Sequence, residues 1–413
     1  MKNQSLILAL GIFLSLVSCK KEENATSDMK NIPLTTRQQQ VVNQSNAFGF
    51  DLFRKVIETS GSENNLMISP LSVSMALGMT RNGAAGTTLD AMNETLGMSG
   101  FTEQEINESY QYILGTFSSL DPAVKLSIAN SIWYSNTFSV LQPFIETNQT
   151  YFGASVTPLD FKDPASVTTI NNWVSDKTNQ LIPTIIEEIP DGIVMYLIDA
   201  VYFKGQWRYK FEKDKTEAKT FYLSDGSEVQ AESMLQRANL QYFAGTGFKA
   251  VELPYNQGNY NMNILLPEAS SSISEIISQL TQDNWNNWQK NYTEADVQVQ
   301  LPKFKYDYDE KNMIPVLKAL GMEIAIDPNY ADFTRMNGLG GLFISEVKHK
   351  TYIETNEEGT EAAAVTSVGM SNTSVGNDPQ PVYFTADHPF VYIITEKSTG
   401  TILFIGTVMN PID

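Results

Sequence analysis

Residues 357–366 read Glu-Glu-Gly-Thr-Glu-Ala-Ala-Ala-Val-Thr, and they constrain the fold most because their own preference conflicts with their surroundings. Taken alone, Thr360 would cap a helix that Glu361, Ala362, Ala363 and Ala364 would extend, since alanine is the best helix former. The flanks argue otherwise. Residues 343–355 read as a strand, and residues 367–381 form a Ser/Asn/Gly/Thr/Pro-rich run too long for an ordinary connection. A helix-capable segment between a strand and a long polar loop, with Gly359 as pivot, is built to change conformation. Long exposed loops of this kind bind or bait.

Elsewhere the helical and strand periods are mixed, which predicts an α+β chain. Phe48, Leu52 and Val56 fall at i, i+4 and i+8, a helical stripe, and Ser69 followed by Pro70 makes an N-cap and first-turn pair. Val297, Val299 and Leu301 alternate with polar residues, the period of a half-buried strand. Gly245-Thr-Gly-Phe-Lys-Ala250 mimics part of a dinucleotide fingerprint, but Val251-Glu-Leu-Pro254 continues as strand, so a turn entering a strand is the reading. With 413 residues, 42% of them hydrophobic, the chain can bury a large core, and length alone suggests two or three domains. No internal repeat is visible.

Charge and residue inventory exclude several function classes. There are 47 acidic against 28 basic residues, a net charge of −19, and no Lys/Arg cluster that could track phosphates, so no nucleic-acid partner is expected. A hydrolase would need His349 or His388, the only histidines, and the chain has no Gly-x-Ser-x-Gly elbow. No His/Cys/Asp spacing suits zinc, so neither a metal nor a cofactor is expected, and no catalytic residue is assigned. The single cysteine, Cys19, rules out a disulfide within the chain.

The N-terminus points to export. Lys2 and the apolar residues 6–17 form a signal peptide whose h-region is too short to span a membrane. Leu16-Val-Ser-Cys19 resembles the bacterial lipobox, in which the cysteine becomes the first mature residue and carries lipid; the plainer alternative is a signal peptide that happens to end in cysteine. Several acyl chains would anchor the protein stably in a bacterial membrane, the outer membrane by expectation. Lys20-Lys-Glu-Glu23 resembles the charged export signal of surface lipoproteins in Bacteroidetes-type bacteria, which implies exposure at the cell surface. Residues 20–42, poor in apolar side chains, read as a tether. The expected division is 1–18 signal peptide, 19–42 lipidated tether and 43–413 folded domain.

A series of motifs carries a resemblance. Asn65-Leu-Met-Ile-Ser-Pro-Leu-Ser72 runs into Met75-Ala-Leu-Gly-Met-Thr-Arg-Asn-Gly-Ala84 and then Gly86-Thr87. After it come Asn130-Ser-Ile-Trp133, Ile170-Asn-Asn-Trp-Val174 and Asp199-Ala-Val-Tyr-Phe-Lys-Gly-Gln-Trp207. Val251-Glu-Leu-Pro-Tyr255, Leu301-Pro-Lys-Phe304, Asp387-His-Pro-Phe390 and Leu403-Phe-Ile-Gly406 complete the set. Together with the 357–366 stretch they resemble the serpins, serine-protease inhibitors whose reactive loop inserts into their own central sheet after cleavage. The resemblance covers roughly residues 43 to 413. It implies one α+β domain of three β-sheets and about eight or nine helices with an exposed reactive-centre loop, acting as a monomer.

It also implies roles. Glu357, Glu358, Gly359, Thr360, Glu361, Ala362, Ala363, Ala364, Val365 and Thr366 become the hinge. On insertion, Thr360, Ala362, Ala364, Thr366, Val368 and Met370 would share the inward face, and none is charged. The family's usual spacing puts the reactive bond at Thr373 and Ser374. The downstream block makes the loop longer than usual, so the window is residues 370–378, from Met370 to Asp378. From Thr360 to Asp387 there is no Lys or Arg, which disfavours trypsin-like targets; elastase-like or subtilisin-like proteases suit the loop, and papain-like cysteine proteases stay open. The helix expected at residues 103–119 also lacks Lys and Arg, so no heparin-type polyanion site is expected.

Ser69, Ser72, Asp199 and His349 resemble the shutter where the sheet opens, and Trp207 the tryptophan under the upper end of the opening. Asparagine is the family's familiar residue at the Asp199 position. A carboxylate beside His349 would favour the protonated imidazole, and pH-sensitive sheet opening is the expectation. A serpin that only binds, and a lipid-anchored hydrolase, are the competing classes.

Overall fold

The stripe of Phe48, Leu52 and Val56 is the buried face of α1 (Thr36–Ser60) in the computed structural model, which describes residues 29–61, 63–310, 312–360 and 380–413. Thr35 opens this helix through a capping box with Gln38. Val41, Val42 and, ahead of the helix, Ile32 are buried too, and the backbone N–H of Ile32 donates to Ser398 Oγ at 3.1 Å. Packed chain therefore begins before residue 43, and the tether expected through residue 42 is shorter than its composition suggested. Cys19 and residues 20–23 lie outside the described residues.

Ser69 and Pro70 start α2 (Pro70–Arg81) as their pairing predicts: the Ser69 hydroxyl accepts from Ser72 N at 3.3 Å. All of α2 except Ala76 is buried, and it lies close to α1 because Gly49 has no side chain; a Cβ there would sit 2.5 Å from Pro70 Cβ. The outer helices are α3 (Gly86–Thr95), α4 (Glu103–Phe117), α5 (Gln142–Phe152), α6 (Ala165–Lys177), α7 (Ile273–Gln279) and α8 (Gln282–Asn291). Three four-residue helical turns start at Ile314, Glu323 and Thr334.

One sheet has six strands in the order β10 (Phe304–Glu310), β11 (His349–Asn356), β12 (Gly359–Thr360), β4 (Met195–Gln206), β2 (Val124–Ser135), β3 (Ser155–Leu159). Only the β2/β3 pair is parallel. The second network runs β1 (Leu66–Ile68), β15 (Ile402–Val408), β14 (Phe390–Glu396), β8 (Tyr260–Pro267), β7 (Phe248–Pro254), β6 (Glu228–Ala244), β9 (Thr293–Pro302), β13 (Val382–Thr385). β5 (Glu217–Tyr222) pairs with the start of β6, while β7 pairs with its end. The expected second and third sheets are thus joined through one 17-residue strand. Val297, Val299 and Leu301 on β9 are fully buried, and the turn at Gly245 enters β7.

Residues 343–355 form less strand than their sequence suggests. β11 starts at His349, and residues 341–348 carry no strand pairing, because β4 is not bonded to them among the described residues. That separation defines the site.

Candidate functional site

β11 and β4 are held apart at one end by a two-residue hairpin. Thr355 pairs with Thr360 and Asn356 with Gly359, while on the other side Gly359 pairs with Gln206 and Thr360 with Gly205. Among the described residues, the remaining facing edges of β4 and β11 have no ladder partner. A cleft of about 390 Å³ runs along this seam, over Ser72 on α2, Asp199 on β4 and His349 on β11, with aliphatic walls that include Val174, Ile186 and Met195.

Only glycine fits at the head of the hairpin. A Cβ on Gly359 would lie 2.0 Å from Gly205 O and 2.7 Å from Gln206 Cα, so β12 reaches β4 by backbone contact alone. Two carboxylates pin the turn before it. Glu357 is paired with Lys303 at 2.7 Å and accepts from Thr216 Oγ1 at 2.8 Å, while Glu358 is paired with Lys210 at 2.6 Å and Lys213 at 2.8 Å. Burial alone would raise both carboxyls, yet these partners hold them below the ordinary value. The backbone is fixed as well, with Trp207 N donating to Glu358 O at 2.9 Å and Phe211 N to Glu357 O at 3.1 Å.

Trp207 sits beneath the hairpin, 3% exposed. Its ring stacks on Tyr255 with centroids 4.4 Å apart, and its indole N–H donates to Asn356 O at 2.9 Å. The Tyr255 hydroxyl meets Thr360 Oγ1 at 2.6 Å, and burial raises the phenol well above its usual range. Thr360 is 3% exposed. Glu361, Ala362, Ala363, Ala364, Val365, Thr366 and the 370–378 window with Thr373 and Ser374 lie outside the described residues.

Ser69, Ser72, Asp199 and His349 do come together, but their electrostatics reverse one expectation. His349 Nε2 accepts the backbone N–H of Ser69 at 3.0 Å, which requires the neutral ring, and burial lowers its pKa to about 4. Asp199 makes no hydrogen bond with it. Both carboxylate oxygens are sealed and unpartnered, and burial pushes this carboxyl up to about 8. The Ser72 hydroxyl nearby eases that cost without making a well-formed hydrogen bond. The predicted protonated imidazole beside a charged carboxylate is therefore replaced by neutral His349 beside a protonated Asp199. The composition Ser/His/Asp is not a relay either: the serines are buried, and the imidazole nitrogen that would take a proton is occupied by a backbone N–H.

His388, the other histidine, pairs with Asp387 at 2.7 Å and Pro267 O at 2.9 Å, and the carboxylate beside it raises its pKa. The sequence reading missed Lys210, Lys213, Lys303, Thr216, Tyr255 and Asn130 as parts of the site. Three of these, Lys303, Tyr255 and Asn130, lie inside quoted motif blocks and could have been found there. Lys210, Lys213 and Thr216 carry no local signal, since only the fold brings them to the hinge.

Comparison with known proteins agrees with this geometry. Residues 43–411 match the family model for serpins, described as serine protease inhibitors. Leukocyte elastase inhibitor A of Rattus norvegicus is 31% identical over 385 residues, covering 90% of this chain and all of that protein. The native-state crystal structure of tengpin, a thermophilic serpin, superposes with a TM-score of 0.81 at 33% identity, covering 92% of this chain and 96% of the other. Human thyroxine-binding globulin superposes with a TM-score of 0.82 at 25% identity, covering 91% and 99%. The family is mostly one of protease inhibitors rather than enzymes, and it includes binding proteins. With an α+β fold of this topology and a family match over most of its length, the chain belongs to the serpin family.

Proposed function

We propose that the protein is an inhibitory serpin, a suicide substrate that traps its target protease as an acyl-enzyme. The observation that carries this reading is the seating of Gly359 and Thr360 between β11 and β4, with the facing edges beyond them unpaired among the described residues. A protease attacks the loop, its nucleophile forms an ester or thioester with the residue before the cut, and the freed hinge continues β12 as a full strand. Each inserted residue gains ladder bonds worth roughly 1 kcal/mol net and buries alternate side chains, so about a dozen residues release on the order of 10 kcal/mol. That is enough to pull the tethered active site out of alignment, and without its oxyanion hole and histidine the acyl-enzyme is not hydrolysed.

The absence of Lys and Arg between Thr360 and Asp387 directs the choice to elastase-like or subtilisin-like proteases, with papain-like enzymes second. In the same reading Cys19 carries lipid and anchors the inhibitor to the bacterial outer membrane, its domain facing outward; fatty-acid labelling of the wild type but not of Cys19→Ser checks that part.

The test is incubation of the chain from residue 29 onward with an elastase, followed by denaturing gels and intact mass of the released peptide. A stable adduct, with a peptide cut inside residues 370–378, is the expected result. Cleavage with neither adduct nor gain in thermal stability overturns the inhibitory reading and favours a serpin that only binds.

A further inference from the structure

Asp199 on β4 and Asn130 on β2 are directly opposed in the antiparallel register, so their side chains share one face at a Cβ separation of roughly 5 Å. The Asn130 amide nitrogen donates to Phe152 O at 2.9 Å, which fixes the amide so that its oxygen is the free end. That oxygen and both Asp199 carboxyl oxygens are buried and have no hydrogen-bond partner. Three acceptors are thus buried on this face, with the Ser72 hydroxyl near Asp199 but no well-formed hydrogen bond to any of them. One proton on Asp199 converts this from a repulsive arrangement to a hydrogen-bonded one.

We propose that Asp199 is a proton-operated catch beside the seam: protonated, it donates to Asn130, which is itself tied to Phe152 O at the end of α5, and holds β4 in place; ionised, it loosens β4 and speeds insertion of the loop. This rests on the loop-insertion reading above. The raised Asp199 carboxyl, pushed up to about 8 by burial, places the change in the mildly alkaline range.

The surrounding groups do not supply an alternative switch. α2 offers the Ser72 hydroxyl, β2 offers Asn130, and α6 offers Val174. From the β11 side comes His349, held neutral by Ser69 N–H; just before it, Lys348 pairs with Glu346 at 3.3 Å, and Lys350 leans toward Asp307 and Asp309 at 3.9 and 3.7 Å. The remaining titratable groups along the cleft are Tyr196 and Asp191, ahead of Asp199 in sequence. His349 changes charge only below the window in which Asp199 does.

The full-length chain and Asp199→Asn are compared between pH 6.5 and 9 by three readouts. Infrared spectroscopy should show a buried protonated carboxyl that disappears with a midpoint near pH 8 in the wild type and is missing in Asp199→Asn. Stability to urea should fall with rising pH in the wild type relative to Asp199→Asn, because the folded state keeps a proton that the unfolded chain has already lost. After the loop is nicked, the rate of gain in thermal stability should rise about tenfold from pH 6.5 to 9 in the wild type and stay flat in the variant.

An infrared band that is absent at pH 6.5, or insertion rates with the same pH dependence in both proteins, overturns the catch. If Asp199→Asn fails to fold, the wild-type titration alone decides. A titrating carboxyl in a nicked chain that never gains stability would keep the protonated Asp199 and sink the loop-insertion reading instead.

Discussion

Gly359→Ala is the sharpest single test of how the hinge is seated. The added Cβ would lie 2.0 Å from Gly205 O, more than 1 Å inside contact distance, and the obstacle is backbone, so no rotamer change relieves it. β12 must leave β4. That forfeits the ladder pairing of Gly359 with Gln206 and Thr360 with Gly205, together with the 2.6 Å contact between the Tyr255 and Thr360 hydroxyls. At about 1 kcal/mol per hydrogen bond, the seated hairpin loses roughly 3 kcal/mol, or about two orders of magnitude in its population.

The assay is hydrogen exchange of the backbone at Gly205 and Trp207, whose N–H groups face β12, followed by nicking of the loop and a thermal melt. Exchange at those two amides should rise by up to that factor, and the nicked variant should gain little or none of the wild type's stability and form no adduct. Unchanged exchange and an undiminished adduct in Gly359→Ala would refute the claim that backbone contact at this glycine seats the hinge.

Two further perturbations follow from the electrostatics. Lys303→Met leaves Glu357 buried with Thr216 beside it but without its lysine, which should cost about 1–3 kcal/mol in urea unfolding and raise the carboxyl; because the partnered carboxyl is depressed, the lost stability is that normally present above its ordinary pKa and removed by acid. His349 works with the opposite bias to Asp199: its lowered pKa means the unfolded chain binds a proton that the folded one refuses, so stability should fall by about 3 kcal/mol as pH drops from 6.5 to 4, and urea midpoints of His349→Gln should show a shallower slope over that interval.

Local rules in the chain were sufficient for many elements. The Ser69 cap, the α1 stripe and the alternation of β9 are set by neighbours in sequence and appear where their patterns put them. Ser69, Ser72, Asp199 and Trp207 lie inside the motif blocks, and the fold brings the first three together with His349. Boundaries were less legible. Ile32 packs although its surroundings read as tether, because its partner is Ser398, 366 positions away. Residues 343–348 read as strand yet are unpaired among the described residues, since alternation fixes which side chains face inward but not whether a neighbouring strand is within bonding distance.

The clearest division concerns charge. From sequence alone came the family, the lack of Lys and Arg between Thr360 and Asp387, and the presence of a carboxylic acid at position 199. What that acid does was decided by tertiary structure. Proximity to a histidine predicts an ion pair, but the fold gives His349 Nε2 to a backbone N–H and seals Asp199 against the oxygen of Asn130. Solvent access and the direction of each hydrogen bond set a buried group's charge, and both depend on chain segments far apart in sequence.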